Sequence, residues 1–126
     1  MRRPLALLIA AAGLVGGCQK TVQAPTNVGV CWHMVVENGK AKYNKVADHV
    51  DTLEKCAADL EGMRRRFLGL GGSASEITGA YQGSFIFLQR DGIYVGQTLE
   101  PTARYLFLVR TPDGLLTQPG AAPPGS

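Results

Sequence analysis

The side chains able to ligate a metal, attack a carbonyl or carry a proton are few in this 126-residue chain. Its cysteines are Cys18, Cys31 and Cys56, and its histidines are His33 and His49. On paper, Cys31, His33, Cys56 and His49 assemble into a Cys2His2 set, the ligand number that a structural zinc takes. The spacing Cys31-x-His33 matches no zinc pattern, so no metal is expected. A Cys-His nucleophile built on Cys56 needs an accessible thiol of low pKa, and Cys56 falls on an apolar helical stripe where a thiol is inert.

Gly71-Gly72-Ser73-Ala74-Ser75 invites comparison with the G-x-S-x-G turn of serine hydrolases. That turn needs a small last residue and a preceding strand. Here the last position is serine and a helical pattern precedes it, so a flexible linker is the expectation. Gly69-Leu70-Gly71-Gly72 lacks the lysine of a phosphate-binding loop. Glu76, Asp91, Glu100 and Asp113 are the carboxylates outside the helical stretch considered for hydrolysis. Asp91 and Asp113 each precede glycine and read as turn residues. Glu100 precedes Pro101, and Glu76 starts a strand. No catalytic residue is assigned. Arg64-Arg65-Arg66 is the one charge cluster. It suits the negative end of a helix dipole, with Glu61–Arg65 at i,i+4 spacing. Its sharper reading is a contact for anionic lipid head groups or an acidic envelope polymer.

The N-terminus bears on location. Met1-Arg2-Arg3 is a short basic region, and residues 4–15 form an apolar run close to the roughly 7–15 residues of a signal peptide. That run is too short for a membrane-spanning helix, which needs about 20 apolar residues. Val15-Gly16-Gly17-Cys18 follows, and it resembles the lipobox of bacterial lipoproteins. The resemblance covers residues 1 to 19 and not the rest of the chain. It implies diacylglycerol on the Cys18 thiol, cleavage just before Cys18 and membrane attachment through the lipid. Gln19 in place of aspartate after the cysteine implies outer-membrane sorting. More than one acyl chain gives stable anchoring, each buried methylene contributing roughly 0.8 kcal/mol.

With Cys18 assigned to lipid, Cys31 and Cys56 remain, and export makes a disulfide between them the expected state. Two separate buried thiols are the alternative. Cleavage also removes Arg2 and Arg3 from the 13 basic residues, which face 10 acidic ones. The mature net charge is then about +1, with no basic stripe for nucleic acid.

The elements that must position these groups divide the chain into a signal peptide at 1–17, a polar tether at 18–27, one domain at 28–116 and a disordered Pro/Gly-rich tail at 117–126. In the domain, residues 28–37 are rich in β-formers. Asn38-Gly39 then signals a tight hairpin, because both of its positions tolerate positive φ. The implied register pairs Met34 with Tyr43 and Trp32 with Lys45. The face carrying Val30, Trp32, Met34, Val36, Ala41 and Tyr43 is then apolar, and its Trp32, Met34 and Tyr43 set reads as core. Cys31 points the opposite way with His33, in conflict with a disulfide to a helix on the apolar face. A bulge or a loosely directed strand start are the two ways out.

Asp51-Thr52-Leu53-Glu54 has capping-box spacing with Asp51 as the cap. Leu53, Cys56, Ala57, Leu60, Met63 and Phe67 recur at helical spacing, which predicts an amphipathic helix over 52–68. Glu61 falls off this stripe. Residues 81–90 read as a strand, Asp91-Gly92 as a turn and 93–99 as the return strand, placing Phe87 opposite Gly96. Residues 105–109 are apolar throughout, as in a central strand covered on both faces. The expected fold is α+β: a small antiparallel sheet with one helix, in the order ββαβββ. The expected role is a non-enzymatic binding module at the periplasmic face of the outer membrane, without cofactor, taking an envelope protein or cell-wall partner. An envelope hydrolase or thiol-redox enzyme is the alternative, as is a binder of anionic polymer through Arg64, Arg65 and Arg66. A secreted or periplasmic location is the alternative to anchoring.

Overall fold

Asn38 and Gly39 both adopt positive φ, and they join β1 (Cys31–Glu37) to β2 (Lys40–Ala47) with Met34 opposite Tyr43 and Trp32 opposite Lys45. The structure, a computed structural model, describes residues 22–72 and 76–120. After β2 come α1 (Leu53–Gly69), β3 (Ile77–Tyr81), β4 (Ser84–Gln89) and β5 (Gly92–Gly96). A short 3-10 turn at Pro101–Ala103 leads to β6 (Tyr105–Arg110) and β7 (Leu116–Thr117). The strands form one antiparallel sheet in the order β2-β1-β3-β4-β5-β6-β7. The fold is α+β as expected, with two strands before the helix.

Two strands exceed the expected order ββαβββ, although Glu76 reads as a strand start and β3 begins beside it at Ile77. The stretch read as one strand over 81–90 is broken at Gln82-Gly83, both of positive φ, and β3 precedes the break. Gln-Gly is a weak turn signal beside Asn-Gly, and Gly79 and Ala80 give β3 little β-propensity. The other addition, β7, lies after the β6 turn, and Thr117 belongs to it and not to the tail. Residues 121–126 of the expected tail lie outside the described residues, as does residue 18.

Register differs in one hairpin. Gln89 pairs with Gly92, so the turn is Arg90-Asp91, and Phe85 takes the place opposite Gly96 while Phe87 faces Tyr94. Phe87 still covers Gly96 diagonally, with Cε2 3.5 Å from where a Cβ would sit.

Thr52, and not Asp51, caps α1: its Oγ1 accepts from the Lys55 N–H at 3.0 Å. The side-chain oxygen thereby satisfies one of the four amides that a helix start leaves without partners. Cys56, Ala57 and Leu60 are buried, as the periodicity requires, but Phe67 is exposed.

The two sheet faces hold separate cores. Cys31, Ile77, Tyr81, Ile86, Leu88, Ile93 and Leu108 meet Cys56, Ala57 and Leu60 of α1 on one face. Met34, Ala80, Phe85 and Phe87 pack with Trp32, Tyr43 and Tyr94 on the other. The helix therefore covers the Cys31 face, and the conflict over the disulfide disappears. A bulge between Cys31 and Trp32 is present, but Cys31 meets α1 because adjacent strand residues face opposite ways. Gly79 allows the close approach: a Cβ there would lie 2.8 Å from the Trp32 carbonyl and would collide with the Leu60 side chain.

The Trp32 face is covered by the segment read as a tether. Ala24 is 5% exposed within that second core. Tyr43 donates its hydroxyl to the Gln23 carbonyl at 3.2 Å, and the Gly83 N–H donates to the Pro25 carbonyl at 2.8 Å. Residues 22–27 thus begin as a strap across the sheet.

Candidate functional site

Cys31 and Cys56 meet in a disulfide with Cα atoms 5.3 Å apart, inside the usual range. Both are fully buried. Neither can serve as a thiolate or zinc ligand while bonded. His33 is half-buried in a small hollow with Phe67 and Ile77, and burial lowers its pKa. His49 is exposed with φ 56°. Among the described residues no group of three His, Cys, Asp or Glu is placed to hold a metal.

The carboxylates considered for hydrolysis sit at different connections. Asp91 accepts from the Tyr94 hydroxyl in the β4–β5 turn. Asp113 is hydrogen-bonded to Thr111 in the β6–β7 turn, which lowers its pKa. Glu76 precedes β3 and Glu100 precedes the 3-10 turn, both exposed. Ser73 and Ser75 lie outside the described residues.

The carboxylate that the structure singles out is Glu61, only 3% exposed. Arg110 of β6 grips it through Nε at 2.8 Å and Nη2 at 2.9 Å. Arg64 grips it from the next helical turn through Nε at 2.9 Å and Nη2 at 3.1 Å. Arg110 also donates through Nη1 to the Gln89 carbonyl at 2.6 Å, joining α1, β6 and the end of β4. Burial pushes the Glu61 carboxyl up, but the hydrogen bonds and charges of Arg110 and Arg64 together outweigh it and hold the pKa at about 2. Such a carboxylate has no proton to donate at neutral pH, and its oxygens are taken as acceptors. This arrangement holds structure in place and is unsuited to acid–base catalysis.

Sequence reasoning placed Glu61 on the helix surface opposite Arg65. The ion pair runs instead to Arg64, and Arg65 donates to the Gly114 carbonyl at 3.3 Å. Arg66 is exposed in the last turn of α1. The three arginines thus have different surroundings. Arg110 lies two residues after Leu108 and so shares its sheet face, but only the packing of α1 on that face brings Glu61 to it.

Around this ion triad the β6–β7 connection stands off α1 and leaves a groove of about 660 Å³. Ala58, Gly62 and Arg65 form its helix side, and Leu108, Leu115 and Leu116 its sheet side. Gly114, at φ 86°, lets the connection rest on the Arg65 guanidinium, which lies 3.1 to 3.3 Å from where a Cβ would be.

Next to the groove is the outer edge of β6. The fully apolar run 105–109 was expected at the centre of the sheet, but β6 is its second-to-last strand. The last strand, β7, pairs only with Val109 and Arg110. Among the described residues, 105–108 have a strand neighbour on the β5 side alone. Tyr105 is 73% and Leu106 44% exposed. A local apolar run does not report how many strands follow it, and the two-residue β7 is too short to cover this one.

No family model, curated protein or solved structure matches this chain. Among the described residues no helix is long and apolar enough to cross a membrane.

Proposed function

We propose that this chain is a non-enzymatic binding module of the bacterial envelope, held by a lipid on Cys18 at the periplasmic face of the outer membrane. Its partner is an envelope protein that contributes an extended segment along the outer edge of β6. One observation carries this reading: the contrast between the two edges of the sheet. The β2 edge carries exposed Lys40, Lys42 and Lys45, the residue type that blunts an edge against unwanted pairing. The β6 edge carries Tyr105 and Leu106, exposed and uncharged, where among the described residues no strand neighbours 105–108 on the outer side. Main-chain hydrogen bonds from an added strand would supply affinity, and side-chain contacts would supply selectivity. The lipobox resemblance supports the anchoring.

The test is a photo-crosslinking residue placed at Tyr105 or at Lys42 in cells. An adduct with one envelope protein is expected at 105 and not at 42, and it should vanish in a Leu106→Lys background of unchanged melting temperature. Absence of any adduct at 105, or adducts indifferent to Leu106→Lys, would overturn the edge as binding site. Intact mass of the detergent-extracted chain tests the anchor: a start at Cys18 with acyl mass is expected, and a chain without lipid refutes it.

A further inference from the structure

We infer that the sheet face opposite α1 lies against the phospholipid head groups of the membrane that carries the chain; this rests on the lipid-anchor reading above. The argument begins with covalent reach. Five residues, 19–23, separate Cys18 from Ala24, which is already buried in the second core. Six extended steps span at most about 20 Å. The strap is held on both flanks, by Tyr43 on Gln23 and by Gly83 on Pro25. A lipid on Cys18 therefore keeps the strapped face within one short span of the bilayer and leaves α1 on the far side of the sheet.

The chemistry of that face fits such a neighbour. Trp32, Tyr43 and Tyr94 belong to the same face as Ala24, each half-buried, with the Trp32 Nε1 turned inward and the Tyr43 and Tyr94 hydroxyls on Gln23 and Asp91. Tryptophan and tyrosine rings are the side chains enriched at the head-group level of a bilayer. Arg104 lies on the same face with its guanidinium 3.6 Å from the Phe87 ring centroid. With the strap face down, the outer edge of β6 opens sideways and remains accessible to a partner.

Trp32 is the only tryptophan of the chain, so its emission reports on this face alone. The acylated protein, reconstituted into phosphatidylethanolamine–phosphatidylglycerol vesicles containing brominated phosphatidylcholine, should lose Trp32 emission relative to vesicles without bromine. The comparison variant, Trp32→Phe with Leu70→Trp, moves the reporter to the exposed end of α1 and should keep its emission. Vesicle-bound, acylated protein with unquenched Trp32 overturns the orientation, as does equal quenching of the Leu70→Trp variant. A chain that carries no acyl mass and does not float with vesicles removes the anchor reading, and this inference with it; the mass measurement separates the two failures.

Discussion

Arg110 of β6 and Glu61 of α1 form a two-point contact, Nε to Oε2 at 2.8 Å and Nη2 to Oε1 at 2.9 Å, across 49 residues of sequence. It is the polar counterpart of the Cys31–Cys56 link. The disulfide fixes the start of α1 to β1, and the ion pair fixes its middle to the far side of the sheet. Removing Arg110 leaves the buried Glu61 carboxylate with Arg64 as its remaining partner, so the loss should stay below the roughly 3–5 kcal/mol of a fully unmatched buried charge. Arg110→Ala should therefore lower stability by roughly 1–3 kcal/mol in chemical denaturation. Glu61→Gln removes the charge that Arg110 and Arg64 share and turns an amide NH2 toward their donors, so it should cost at least as much. Equal and negligible losses would show that the contact contributes nothing.

The same contact sets an acid limit. The Glu61 carboxyl is lowered from an ordinary 4.5 to about 2 in the folded chain. A depressed carboxylate contributes stability that is complete above the unfolded pKa and lost as pH falls through the folded one. The contribution, about 3 kcal/mol by linkage, should thus drain away between pH near 5 and pH near 2. Denaturant midpoints measured across that window should fall for the parent and be flatter for Glu61→Gln.

Reduction of the disulfide should be slow in the native state, because Cys31 and Cys56 are fully buried. Once reduced, the chain should lose roughly 3.5 kcal/mol by the loop-entropy argument, given a separation of 25 residues. Melting with and without reductant, with mass spectrometry scoring a gain of two hydrogens, checks both points.

Gly79→Ala should destabilise by about 1–3 kcal/mol, since the new methyl meets Leu60 and the Trp32 carbonyl in a filled interface. Gly69→Ala, at the end of α1 with open space around it, should be neutral or slightly stabilising. A thermal melt of the pair distinguishes close helix–sheet contact from a general intolerance of alanine.

Thr52→Ala should cost about 1 kcal/mol, by loss of the oxygen that accepts from the Lys55 amide. Asp51→Ala should cost less, which helix content and melting temperature would show.

Local chemistry was legible where neighbours in the chain decide the outcome. Asn38-Gly39 determined the first hairpin and its register, because few residue pairs accept positive φ twice. The apolar spacing of Leu53, Cys56, Ala57 and Leu60 determined α1 to within a residue at each end, because period 3.6 is a property of the helix itself. Tertiary structure alone decided which sheet face α1 covers, since both faces of β1 carry apolar residues and the strap at 22–27 competes with the helix for one of them. It alone made Glu61 a buried residue, because the guanidinium that compensates it arrives on β6. It also left residues 105–108 on an edge: an apolar strand reads alike at the centre and the rim of a sheet, and only the number of strands that pair beyond it separates the two.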